Sequence, residues 1–169
     1  VTTTATTVPF GSVSITNFTD AAQNLTVSTN ADGGYSVTAF ESDQLRVITS
    51  TGLGTNDIDD TLGDTGDCSE SDYDEWSTTG TKGFGYSLEN SDAAVIPFEY
   101  TTADSGCTGT FCAKQFADNN AVETSQEIFS STTVADSENA YVCYRVIVSA
   151  TQEAGTYTNA VTYIASATF

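Results

Sequence analysis

The sequence predicts an all-β chain, a single-domain β-sandwich or jelly-roll-like fold of mostly antiparallel strands with one long acidic loop. Three observations carry this expectation. Apolar residues recur with a period of two, the pattern of strands with one buried face, and not with the 3.6-residue period of a helix. Threonine, a β-branched residue that suits the outer face of a pleated sheet, occupies 30 of the 169 positions. Thirteen glycines and only two prolines supply turns between short segments, and a length of this order with 38 % hydrophobic residues is enough for one core.

The elements follow in order. Residues 1–10 open as Val-Thr-Thr-Thr-Ala-Thr-Thr, extended and β-prone but too poor in bulky groups to pack alone, and Pro9 marks a break. They read as a tail separate from the domain at 11–169. Such a tail is expected either to fray or to act as a detachable strand that adds to the sheet edge of a neighbouring subunit, with Val1, Ala5, Val8 and Phe10 entering the acceptor groove. Val13 and Ile15 alternate with Ser12, Ser14 and Thr16 as a first strand. Gln23–Ser28 and Gly34–Phe40, joined by the turn-rich Thr29–Gly33, read as a hairpin. Further strands are expected at Gln44–Thr49, Lys82–Leu88, Val95–Thr101, Gln126–Ser130, Tyr141–Ala150 and Thr156–Phe169, and a short helical turn at Cys112–Asp118.

The last two strands are the most regular. Val142, Tyr144, Val146 and Val148 share the face that should meet the core, which turns Cys143 and Arg145 outward. After the turn at Gln152–Gly155, the residues Tyr157, Val161, Tyr163, Ala165, Ala167 and Phe169 fall on one face. The terminal Phe should therefore be built into the sheet.

Charge removes several functions. The chain has 23 Asp plus Glu, 4 Lys plus Arg and no His, a formal charge of −19. The four cations form no basic stripe, so neither nucleic acid nor an anionic membrane surface is an expected partner. Without His there is no imidazole base for a Ser or Cys nucleophile and no imidazole metal ligand, and nothing points to an enzyme. No run approaches the length of a membrane span. The chain contains no Met, which is expected of a processed, secreted protein whose signal peptide has been removed. In that setting Cys68, Cys107, Cys112 and Cys143 are expected to form two disulfides, with the pairing left open.

The stretch from about 51 to 81 is the acidic loop, carrying nine carboxylates between Arg46 and Lys82. A loop this long and this charged is expected either to be solvated or to wrap a hard cation. Asp57, Asp59, Asp60, Asp64 and Asp67 are the candidate oxygen donors for calcium, although they do not follow the twelve-residue calcium-loop pattern. Asn17 and Asn24 stand in Asn-X-Thr sequons and are candidate glycosylation sites. Trp76, in a loop, is the aromatic best placed for the alternative function, a carbohydrate- or cell-surface-binding module that would take glycans as partners.

The segment Gln152-Glu153-Ala154-Gly155-Thr156-Tyr157-Thr158-Asn159-Ala160-Val161-Thr162-Tyr163 resembles the closing hairpin of secreted fibre subunits. These are the TasA and camelysin-like group with its archaeal bundling-pilus relatives, and more distantly spore coat protein U and chaperone–usher pilins. Leu25–Val37 and Gly83–Leu88 are similar to segments of secreted bacterial proteins. The resemblance implies a structural subunit of an extracellular, cell-surface filament, a homopolymer of identical subunits joined by N-terminal strand donation. The tail is richer in Thr and poorer in large alternating apolar residues than that of chaperone–usher pilins.

Overall fold

The computed structural model describes residues 3–47, 56–90, 92, 94–103 and 107–169. Val1 and part of the acidic stretch lie outside the described residues. The described chain is all-β, as expected, and is built as two three-stranded antiparallel sheets. The first has the order β1 (Thr19–Thr29), β8 (Ala135–Ile147), β5 (Gly83–Asn90). The second has the order β10 (Val161–Ala167), β2 (Tyr35–Glu41), β7 (Gln126–Ser131). Two short pairs complete the elements: β3 (Arg46–Val47) with β9 (Tyr157–Thr158), and β4 (Asp74–Glu75) with β6 (Cys112–Ala113).

The expected hairpin between residues 23–28 and 34–40 is not formed. β1 pairs with β8, Leu25 opposite Ala140, while β2 pairs with β10 and β7. The link between them carries the chain from one sheet to the other, a step of about 10 Å that five residues can span. Ala31 is fully buried in that link. Gly34 adopts a left-handed φ of 81°, with its N–H bonded to the Ala31 carbonyl at 3.1 Å. The expected closing hairpin fails for the same reason, since β8 and β10 belong to different sheets. Alternation identifies a strand with one buried face, but either partner sheet satisfies it.

Between the sheets the core is strongly aromatic. Tyr86 stacks on Phe116 at 4.1 Å, and Phe84 is stacked with Tyr144 at 6.4 Å. Val142, Tyr144 and Val146 face this core as predicted. Beyond the outer face of β8 lies a second cluster of Trp76, Phe111, Ala113 and Ile147, against which Phe18, Tyr100 and Cys143 pack. This second layer corrects the short helix expected at Cys112–Asp118. Phe111 and Ala113 enter the outer cluster while Cys112 and Phe116 enter the main core, the two-sided alternation of a strand. Lys114 extends that strand by bridging Tyr86 of β5. Residues 13–15 form no strand, and at 95–101 a single bridge, Val95 to Ser130, replaces the expected one.

One disulfide is present, between Cys107 and Cys112. Cys68 and Cys143 are free thiols, which corrects the expectation of a second bridge. Cys143 does lie on the outer face, packed against the second cluster, whereas Cys68 is buried with its thiol donating to the Ala113 carbonyl at 3.3 Å. Burial raises both thiols, Cys68 to about 12 and Cys143 to about 11. The C-terminus also differs from expectation. Thr168 is tied by backbone bonds to Gly33 and Gly34, at 3.1 and 2.9 Å, but the Phe169 side chain is 90 % exposed. The inner face of the edge strand β10 is covered only as far as Tyr163, and Ala165 and Ala167 are exposed.

Val122 occupies the left-handed region, with φ 63°, and is exposed at the tip of the turn after Asp118. A β-branched side chain is strained there and gains nothing from packing. Val122→Gly is expected to raise stability by about 1 kcal/mol, the relieved strain exceeding the added unfolded-state entropy. Urea unfolding measures the change, and a destabilised variant would contradict the strain.

Candidate functional site

The two lateral sides of the sandwich differ. On the β5 and β7 side, chain segments close the gap between the sheets. Val95 bridges β7, Lys114 bridges β5, and Phe98 and Phe116 fill the space between them. On the opposite side stand β1 and β10. Among the described residues β1 pairs only with β8 and β10 only with β2, so each presents one edge without a ladder partner.

The N-terminal segment lies across this open side in cis without forming a strand. At its start the Thr3 hydroxyl donates to the Ala22 carbonyl of β1 at 3.0 Å, and the Gln23 side-chain amide donates to the Thr4 carbonyl at 2.9 Å. At its far end the Val148 N–H donates to the Ser14 carbonyl at 3.2 Å. Between these ties Val8, Phe10 and Val13 pack against the core, with Phe10 meeting the Phe84 ring edge-on at 6.1 Å. Ala5 is exposed. The residues expected to enter a groove thus divide in the structure: Val8 and Phe10 occupy it, Ala5 lies over it, and Val1 is outside the described residues.

The fit is loose. A pocket of about 1190 Å³, open to solvent on one side, lies beside the tail, walled by the tail, by the connection at 149–160 and by Phe84, Tyr144, Val161 and Tyr163. A polar relay crosses the floor. Tyr163 of β10 meets the Tyr144 hydroxyl, Tyr144 donates to the Gln23 side-chain oxygen at 2.6 Å, and Gln23 donates on to Thr4 of the tail. Burial raises the Tyr144 hydroxyl to about 12 and the Tyr163 hydroxyl further. Both phenols are therefore neutral donors at any physiological pH. This side of the sandwich presents backbone edges, apolar surface and neutral hydrogen-bonding groups. The extended, β-prone composition of residues 1–10 and the break at Pro9 pointed to the tail. The Gln23–Tyr144–Tyr163 relay was not legible, because its members are 121 and 19 residues apart and look like ordinary strand residues.

The acidic loop is not a solvated tether. Asp64 accepts from Ser77 N–H at 2.9 Å and from the Thr78 hydroxyl at 2.6 Å. Burial alone would raise its carboxyl, but the donors of Thr78 and Ser77 together hold it below the usual range. Glu75 accepts from the Thr108 and Phe111 N–H groups at 2.7 and 2.9 Å. Burial works against its ionisation too, and these bonds keep it low. Asp74, fully buried, receives the Thr65 N–H at 2.8 Å. The loop folds upon its own carboxylates, as an Asx turn does on a larger scale.

The five aspartates expected to share a cation are directed to different partners. Asp57 lies beside Arg46 at 3.6 Å, Asp60 turns inward against Glu41, Asp64 holds Ser77 and Thr78, Asp67 accepts from Thr65 at 3.2 Å, and Asp59 is exposed. Among the described residues no group of three or more acidic, Cys or His side chains is placed to hold a metal ion.

Trp76 is fully buried, with its indole N–H bonded to the Thr81 carbonyl at 3.1 Å and Phe18 edge-on at 5.3 Å. This corrects its reading as a platform for sugar rings, since neither face is open. Its neighbour Arg145 is held between the rings of Phe18 and Phe111, at 4.3 and 3.6 Å, with a bidentate pair to Asp20 at 2.8 Å. Both sequon asparagines are in exposed surroundings. Asn17 lies in the turn at 14–17, and Asn24 donates to Asn139 across β1 and β8 at 3.2 Å. Among the described residues no helix is long and apolar enough to cross a membrane. No family model, curated protein or solved structure matches the chain.

Proposed function

We propose that the chain is the structural subunit of an extracellular filament whose copies join by exchanging the N-terminal segment. The supporting observation is the sandwich open between β1 and β10, with residues 3–13 laid loosely over its core. In the monomer the segment covers its own groove. In the filament the same segment covers the groove of the next copy, a head-to-tail contact that does not close on itself and so propagates. Because the contacts made in cis and in trans are alike, concentration favours the exchanged form, and a better-filled cavity in trans adds to it. Secretion, glycosylation of Asn17 and Asn24 and a role in adhesion or matrix formation belong to this same reading.

Size exclusion and negative-stain microscopy of the full chain against a form lacking residues 1–10 test it. The full chain is expected to form filaments and the truncated form to remain monomeric. The truncated form also loses about 2 kcal/mol from exposing the surface that Val8 and Phe10 cover, and a synthetic peptide of residues 1–13 should restore most of that. Filaments that persist unchanged without the segment refute strand exchange.

A further inference from the structure

Glu41 ends β2 and is fully buried (0 % exposed). One oxygen of its carboxyl receives the side-chain amide of Asn159, from the turn between β9 and β10. The other, Oε1, is inaccessible and meets no donor; the same is true of Asp60 Oδ1. These two carboxyl groups are in hydrogen-bonding contact with each other. Asp60 is anchored independently, by its backbone bridge to Phe84 of β5, so the contact joins the end of one sheet to the loop that packs on the other.

An ionised carboxylate accepts hydrogen bonds and donates none. Two of them in contact within a dry site cannot both be charged. The other groups that face the pair do not neutralise it. Asp59 on the loop and Asp118 and Glu123 on the segment beyond Phe116 are all acidic. Arg46, on the connection after Glu41, is engaged by Asp43 at 2.9 Å and Asp57 at 3.6 Å.

We propose that Glu41 and Asp60 share one proton in the folded state at neutral pH, and that this proton latches the acidic loop to the end of the β2–β10 sheet. The proton sits on Glu41 and is donated to the Asp60 carboxylate as O–H···O⁻. When the latch opens the proton passes to solvent and both groups ionise. Burial pushes both carboxyls upward, Glu41 most strongly; the Asp60 charge raises Glu41 further, whereas the hydrogen bond from Glu41 draws Asp60 back down against the charges of Asp118, Glu123 and Asp59. The folded chain therefore holds a proton that the unfolded chain releases above the ordinary carboxylate range, and stability falls as pH rises.

The absence of histidine makes this readable. No side chain of ordinary pKa titrates between pH 6 and 8 in this chain, and the two free thiols are raised above that window. Urea unfolding of the full chain at pH 6, 7 and 8 is the test. The folding constant of the wild type is expected to fall about tenfold per pH unit, the slope of one proton. In Glu41→Gln, whose amide donates to Asp60 without titrating, the slope should vanish and the variant should be the more stable at pH 8. A flat wild-type profile, or a slope retained in both Glu41→Gln and Asp60→Asn, overturns the proposal. Should neither variant fold, infrared spectra of the wild type at pH 7 decide: a protonated carboxylic-acid band supports the latch and its absence overturns it. Calcium chloride that restores the pH 6 stability at pH 8 assigns the bridge to a cation and likewise overturns the shared proton.

Discussion

Trp76→Ala is expected to lower stability by about 3–5 kcal/mol, the cost of emptying a large aromatic site in a packed interior. Trp76 is fully buried and carries the second cluster, with Phe18 on its edge and Ile147 of β8 beside it. The loss should spread, because the Trp76 carbonyl also receives an Arg145 guanidinium N–H at 2.9 Å. Among the described residues, Arg145 is otherwise held by its stacking on Phe18 and Phe111 and its pair with Asp20. Urea unfolding followed by far-ultraviolet circular dichroism measures the change. Trp76→Phe, which keeps most of the volume, should recover more than half of the loss. A Trp76→Ala protein within 1 kcal/mol of the wild type, on the order of an ordinary surface change, would show that the outer layer contributes little to the fold.

Gly34→Ala is the second large effect. The left-handed φ of 81° is strained for any residue with a Cβ. A Cβ at this position would also lie 2.0 Å from the Ser131 carbonyl oxygen, a backbone atom that cannot rotate away. Strain and overpacking together should cost on the order of 3 kcal/mol. The damage should concentrate where β2 meets β7 and where Thr168 bonds to Gly34. Amide exchange of the Thr168 N–H should accelerate more than that of β8. Equal protection at both places would mean that the turn accommodates a side chain by moving as a unit.

These two residues mark the limit of what the amino-acid order reveals. The strands β1, β2, β5, β7, β8 and β10 were legible from alternation, and so was the inward face of β8, because burying one face fixes a period of two. Their partners were not legible. Alternation says that Leu25 and Val27 point inward, but not that they oppose β8 instead of β2, and a five-residue link serves a hairpin or a sheet-to-sheet crossing. The outer layer was hidden for a related reason. Ile147 and Arg145 looked like the solvent face of β8 until Trp76 and Phe111, distant in the chain, covered them. Carboxylates misled most of all. Asp64, Asp74 and Glu75 resemble a solvated acidic run, yet each folds its own loop by accepting backbone N–H groups. Val8 and Phe10 were expected in the groove of a neighbouring copy and lie here against their own core, while the floor built by Gln23, Tyr144 and Tyr163 required the fold.

The pairing of β1 with β8 joins residues 115 positions apart, as between Asn24 and Asn139, and β2 meets its partner β10 only at the far end of the chain. Few of the ladder contacts are local, so the loop-closure entropy must be met before much of the core can form, which places the molecule among slow folders. During synthesis the first two thirds of the chain would emerge with β1 and β2 both lacking their principal partners. A chain in this state exposes the unpaired edges of both strands for as long as synthesis continues. Its many carboxylates then keep the waiting strands apart, until the last residues arrive and both sheets close together.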